Sequence, residues 1–349
     1  MLFRSRALEL ARRLGVESLE PRPLGFRGMA RCYLGDFDGI DDVRTALVIS
    51  LQQGLSRESA RTLAILAELQ WADEGPASAV VASEEGTTLA ERRGVSDMAA
   101  WCRCSSVGPL FELGRWDDVL VVGGGVVEWS RAGGGGYLAA MVEPWMARTI
   151  ALRGRLDEAA AMVDEFLPRA REIGDPQMLV PALVAAAQAE RLRGAADRAV
   201  ALVEELDGTG PGGEWYRAHH LAEMVRTCVA AGRLDLARSL VDATSPAGAR
   251  RSLSVLSSRA MIAETEGRPA DAAALWAESA EGWSSYGHVV ERAWALLGTS
   301  RCLGPDDPVA GESLRAAAAV FAGLGAPDPV IGAEQLGAAD PPEPAPFVP

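Results

Sequence analysis

Apolar residues in this chain recur on a helical interval, and glycines cut the pattern at regular distances. From 156 to 166 the apolar set is Leu156, Ala159, Ala160, Val163 and Phe166; from 196 to 203 it is Ala196, Ala199, Val200 and Val203. Steps of three and four put each set on one face of a helix. A glycine in a similar setting returns at Gly35, Gly75, Gly114, Gly154, Gly194, Gly232, Gly267 and Gly304, with separations of 40, 39, 40, 40, 38, 35 and 37 residues. The segments RGRLDEA (153–159), AGRLDLA (231–237) and EGRPADA (266–272) share one plan: a glycine, a polar turn, then a new apolar period. Glycine accepts the left-handed backbone that ends a helix, and Asp or Pro suits the start of the next.

A second glycine series lies between these turns: Gly15, Gly54, Gly94, the run Gly133 to Gly136, Gly174, the pair Gly212–Gly213, Gly248, Gly287 and Gly325. Two turns per period mean two helices per unit. The pattern predicts first helices near 21–34, 57–73, 97–113, 137–153, 176–193, 214–231, 249–266 and 288–303. Second helices follow near 36–53, 76–93, 116–132, 156–173, 195–207, 234–243, 270–286 and 308–324. One hairpin cannot bury its own apolar face, so stacking must complete the core, and the expected fold is an all-α, curved solenoid of about eight helix–turn–helix repeats. Pro109, Pro144 and Pro181 fall inside first helices and predict kinks or late starts. Gly123 to Gly125 interrupt a second helix and weaken it.

The phase of the pattern makes residues 1–20 an orphan second helix whose first-helix partner is missing. The chain is therefore expected to be a fragment or truncated relative of a longer protein, or to use that helix as a cap. Leu8, Leu10 and Leu14 should leave an apolar surface there, open to self-association or to an upstream module. The array spans 21–325. From about 326 the pattern dissolves into a proline-rich acidic tail, 326–349, of a composition that reads as disordered.

Composition narrows the function. The formal charge is −14, so a nucleic-acid backbone is disfavoured as a partner. The chain has neither lysine nor asparagine, which points to a GC-rich genome and rules out a G-x-x-x-x-G-K-[ST] phosphate loop. Five cysteines at irregular spacing argue against a disulfide framework, and the Cys102/Cys104 pair lacks further zinc ligands. No apolar run is long enough to span a membrane and no secretory leader fits the first residues, so the expectation is a cytoplasmic protein without a membrane partner.

The residues come to resemble a known family at the turns. Gly154 with Ala159, Gly194 with Ala199, Gly232 with Ala237 and Gly267 with Ala272 have the spacing seen in tetratricopeptide repeats. That family also places a small residue seven positions before the turn glycine; Gly28, Ala147, Ala187 and Ala260 match, while Glu68, Val107, Val225 and Leu297 depart. The likeness covers about 5–325 and implies a right-handed superhelix. Segments 24–47 and 116–136 also resemble the carboxy-terminal repeat regions of large actinobacterial signalling proteins. There such arrays accompany an ATPase module with an adenylate or guanylate cyclase or a LuxR-type DNA-binding domain.

No catalytic constellation stands out. G-x-S-x-G and H-E-x-x-H are absent, Asp36 to Asp41 lacks the order of a calcium loop, and adjacent His219 and His220 cannot share one helical face. The expectation is a protein that is not an enzyme and needs no cofactor or metal: an interaction scaffold, or alternatively the sensor arm of a cyclase- or ATPase-containing regulator. The resemblance implies that first helices line a concave groove. Counting back from the turn glycines puts Arg148, Arg191, Arg226 and Arg301 on that face, with Gln188, Trp101, His219 and Trp294 nearby. Such a groove would take a protein or peptide bearing carboxylates. The competing reading is that these arginines are solvated or paired with Glu264 and Glu291. The nine tryptophans are read first as packing between units and second as ligand contacts.

Overall fold

The computed structural model describes residues 2–209 and 213–327, and among these the secondary structure is helical with no strand. A lone α1 (Leu2–Arg13) precedes a series of hairpins. These are α2 (Pro21–Tyr33) with α3 (Gly39–Gln52), α4 (Ser56–Asp73) with α5 (Pro76–Arg92), α6 (Ser96–Glu112) with α7 (Trp116–Trp129), and α8 (Gly136–Leu152) with α9 (Leu156–Ile173). Next come α10 (Pro176–Leu192) with α11 (Ala196–Asp207), then a split first helix, α12 (Glu214–Ala218) and α13 (Leu221–Ala230), with α14 (Leu234–Asp242). The series ends with α15 (Ala249–Thr265) and α16 (Pro269–Tyr286), then α17 (Val289–Leu303) and α18 (Pro308–Leu324). Apart from the short α12, which rests on α10, each helix packs on its neighbours in sequence, as a helical repeat array must.

The turns explain the regularity. All eight glycines of the first series have φ between +70° and +107°. The residue after the glycine reaches back to close the helix end: Arg155 N to Ile150 O at 3.1 Å, Ala195 N to Glu190 O at 2.9 Å, Arg233 N to Cys228 O at 2.8 Å. Five residues past these glycines, Ala159, Ala199, Ala237 and Ala272 are fully enclosed, so the hairpin arms meet there without room for a larger side chain. Asp157, Asp197, Asp235 and Asp271 sit in the first turn, where their charge opposes the positive helix end, and not at the N-cap.

Several expectations need correction. None of the helices holding Pro109, Pro144 or Pro181 starts late; all three prolines lie inside continuous helices. α7 runs through Gly123 to Gly125, and a Cβ on Gly123 would fall 2.7 Å from the Met146 sulfur, so that glycine admits α8 at close range. The first helix expected at 214–231 breaks at His219–His220. Leu8 is not part of an open surface: it is 2% exposed against Leu24 and Ala46, while Leu10 and Leu14 are 45% and 63% exposed. Ala326 is in the core and Pro327 packs on the Gly154 turn; the rest of the expected disordered tail lies outside the described residues.

The array closes on itself. The hairpin tips of the first four pairs dock on the last pairs and on the residues just after α18. A Cβ on Gly35 would touch Ala247, one on Gly75 would fall 2.4 Å from the Tyr286 carbonyl, and one on Gly114 would meet Leu324. The Tyr286 hydroxyl donates to the Trp71 carbonyl across 215 residues of chain, Ala249 N donates to Asp73, and Arg153 donates to the Leu324 carbonyl. A core cluster joins Phe111, Trp116 and Val126 to Trp294, Leu297 and Phe321. The face that an open solenoid would leave as a groove is therefore mostly an interior.

Candidate functional site

That interior is made by the first helices, and it holds charge. Glu223 on α13 accepts from Arg191 of α10 and Arg226 of α13, both at 2.8 Å. Arg226 also donates to both oxygens of Glu291 on α17, at 3.2 and 2.8 Å. Burial alone would raise the Glu223 carboxyl, but the guanidiniums of Arg191 and Arg226 outweigh it and hold it at about 2. On the other side of the interior Glu112 of α6 accepts from Arg250 of α15 and from the Trp71 indole at 2.7 Å. The Nδ1 of His288 accepts from Glu291 N, so its proton is on Nε2, which faces Glu112 at 3.5 Å. Arg148 donates to Gln188 at 2.8 Å and lies over Phe111 and Trp145; burial pulls it down to about 10.

Closure leaves a large space among the described residues, a cavity of about 660 Å³ walled by α2, α4, α6, α8, α10, α12, Trp129 of α7 and the turn at 133–135. Its mouth passes the exposed Arg57 and Gly134–Gly135. Its walls are aromatic. Tyr33 stacks on Trp215 with ring centroids 4.3 Å apart, Trp71 meets Trp145 at 5.6 Å, and Trp101 stacks on Tyr137 at 5.7 Å. Trp71 is seated because Gly108 has no side chain: a Cβ there would fall 2.4 Å from the indole. Guanidiniums brace these indoles, Arg250 over Trp71 at 4.7 Å and Arg251 over Trp215 at 4.3 Å.

Few polar groups reach this space. Glu68, on the inner face of α4, accepts through Oε1 from the Tyr33 hydroxyl at 2.6 Å and from the Trp215 indole at 3.2 Å. Burial pushes its carboxyl above the ordinary range, which these two bonds only partly offset. Tyr137 donates to Gln177 at 3.0 Å. His219 and His220 occupy the break between α12 and α13, which lets adjacent residues both reach the wall; burial, with nearby arginines, holds both rings neutral. No group of metal-ligating side chains gathers among the described residues.

The residues expected in an arginine-lined groove are thus divided. Trp101 and His219 line the cavity. Arg148, Gln188, Arg191 and Arg226 lie together but are buried, engaged by Gln188, Glu223 and Glu291 rather than presented to a partner. Trp294 is packed on Phe321 under Arg226, and Arg301 pairs with Glu264 at 2.6 Å. Of the alternative pairings, Arg301 with Glu264 and Arg226 with Glu291 are present, whereas Arg148 and Arg191 meet Gln188 and Glu223 instead. Sequence reasoning missed Glu68, Tyr33, Tyr137 and the joint role of Trp71, Trp145 and Trp215. One signal was present: Glu68 stands seven residues before Gly75, where the repeat pattern calls for a small side chain.

Comparison with known proteins adds little to this geometry. No family model matches the chain, and no curated protein matches it. A solved structure described as a circular tandem repeat protein with novel repeat topology and enhanced subunit contact surfaces is similar at 16% identity, over 95% of this chain and 88% of that one. Its TM-score is 0.26, a superposition too loose to fix curvature or handedness; what this chain displays in its own right is an all-helical repeat array.

Proposed function

We propose that this chain is a non-catalytic binding module whose array encloses a compact ligand in the aromatic cavity, the arrangement expected of a sensor arm. The observation that carries this is the cavity itself. Its volume of about 660 Å³ is within the usual range for small-molecule sites, its walls are apolar and aromatic, and its polar groups are few and oriented. An extended peptide lying along the first helices is disfavoured, because closure has filled that face with internal Arg–Glu pairs. A protein partner would have to insert an end or a side chain through the same mouth. The absence of catalysis is part of the proposal. Burial pushes the thiols of Cys32, Cys102, Cys104, Cys228 and Cys302 up to about 12, so none is a ready thiolate nucleophile. The tetratricopeptide-like ancestry and the regulatory role belong to the same reading and are supported by the turn glycines and the enclosed alanines.

The test is a thermal-shift and calorimetric screen of small aromatic compounds against the wild type and Ser105→Trp. Ser105 lines the cavity, so an added indole fills it. Hits should bind the wild type, fail to bind Ser105→Trp, and leave helical circular dichroism the same in both. Hits that bind both proteins equally would place the site elsewhere and overturn the proposal.

A further inference from the structure

Glu68 differs from the other glutamates of the interior. Glu112 has Arg250, Glu143 has Arg169, Glu223 has Arg191 and Arg226, Glu264 has Arg301, and Glu291 has Arg226. Each of these five glutamates pairs with a guanidinium, Arg226 serving both Glu223 and Glu291. Glu68 has none among the described residues: its partners are the neutral Tyr33 hydroxyl and the neutral Trp215 indole. Both donate to Oε1, and no described donor reaches Oε2, on a side chain that lines the cavity. The carboxylate is held firmly, since Tyr216 donates to Tyr33 at 3.3 Å and Trp215 is clamped between Tyr33 and Arg251. A carboxylate on the cavity wall, oriented by two neutral donors to one oxygen, leaves the other oxygen able to accept from a cation.

We infer that the ligand of this cavity is a compact arylalkyl ammonium, whose N–H donates to Glu68 Oε2 and whose ring packs among the cavity aromatics. This deepens the binding-module reading and rests on it. The other charged groups at the space do not compete for the role. Arg57 at the mouth is paired with Asp97 on both carboxylate oxygens. Arg61, seven residues before Glu68 on α4, also lines the space; it is beside Glu58 at 3.9 Å, its buried Nε makes no hydrogen bond, and it does not bond Glu68. At Trp145 a cation would be opposed by Arg148, already 5.0 Å from that ring. Recognition therefore concentrates at the Glu68 end, where ring faces and a carboxylate meet and the Arg251 guanidinium lies over Trp215 without bonding the carboxylate.

The experiment is calorimetric titration of the full chain with two- and three-ring arylmethylamines, and with alcohols and carboxylates on the same ring frames. The amines should bind at least tenfold more tightly than the alcohols, and the carboxylates more weakly than either. Glu68→Gln, which keeps the shape and the Oε1 acceptor, should erase the preference for amine over alcohol while the alcohol affinity stays within about twofold. Tyr33→Phe, which removes one orienting donor but leaves the carboxylate, should keep a preference for amines. Equal binding of amines and alcohols, unchanged in Glu68→Gln, would overturn the ammonium inference and leave the cavity reading standing. Tightest binding by the carboxylates would overturn it in sign. If no member of the panel binds while other aromatic compounds do, and do so only with Ser105 intact, the ligand class is wrong and the cavity reading holds. If no compound of any class binds, both fall.

Discussion

Replacing Glu223 by Gln removes one negative charge from between two buried guanidiniums while keeping side-chain volume. Glu223 Oε1 accepts from Arg191 and Oε2 from Arg226, each at 2.8 Å, and all three residues are under a tenth exposed. Glutamine can accept at one position only, and its amide then turns a donor towards the other guanidinium. Removing one partner of a buried ion pair costs about 3–5 kcal/mol, because the remaining charge stays desolvated. The titration of Glu223 leads to a similar figure. Its carboxyl is held at about 2, against an ordinary glutamate near 4.3, and two to two and a half pH units correspond to about 3 kcal/mol. The folded-state value is depressed, so this contribution is fully present above about pH 4.3 and is lost as pH falls towards about 2. Urea denaturation followed by tryptophan fluorescence and far-ultraviolet circular dichroism should show Glu223→Gln destabilised by about 3 kcal/mol at pH 7, with the gap to wild type narrowing by pH 3.5. Combining Glu223→Leu with Arg191→Met should recover much of the loss, since an apolar pair of similar volume leaves fewer stranded charges. A deficit below about 1 kcal/mol at pH 7, with an unchanged m-value, would refute the claim that this interior is an ion-paired core.

Gly75→Ala should destabilise the fold by at least about 2 kcal/mol in the same assay, because φ there is +107° and the added Cβ would meet the Tyr286 carbonyl at 2.4 Å; Gly54→Ala, with positive φ but open space, should cost less. Gly108→Ala should displace the Trp71 indole from Glu112, costing about 1–3 kcal/mol and shifting tryptophan emission, and unchanged emission would count against the cavity geometry. Native protein at pH 8 should react slowly with a thiol reagent, the half-buried Cys302 first, and become fully reactive in denaturant; rapid native labelling of Cys102 or Cys104 would contradict their burial. Leu8→Glu should lower stability, whereas Leu10→Glu should leave it nearly unchanged and instead report, by sedimentation, whether the exposed end of α1 self-associates.

The helices and their hairpin pairing were legible because they depend on local terms. A turn glycine at positive φ, a first-turn aspartate and a three–four apolar interval act within one unit, and bounds read from them fall within a few residues of α2 to α18. The exceptions are instructive. Nothing local marks the split at His219–His220, where both rings face the cavity and burial holds them neutral. The prolines at 109, 144 and 181 argue for interruption on local grounds, yet packing carries the helices through them.

The functional surface was hidden by a global term. Each repeat adds a small rotation, and only the accumulated curvature decides whether the first-helix face stays open or meets itself. In this chain it meets itself: the turns at Gly35, Gly75 and Gly114 rest on residues near 247, 286 and 324. The arginines that an open array would present are then sealed against Glu223 and Glu291, and Trp71, Trp145 and Trp215 are drawn from distant units around one space. By itself the sequence determined the repeat, the helix ends, the side of each helix that faces inward and the odd glutamate at position 68. Only the tertiary structure decided which charges meet one another, because ion pairing and cavity shape depend on contacts between residues more than a hundred positions apart, as between Glu112 and Arg250 or Glu68 and Trp215, which no local pattern encodes.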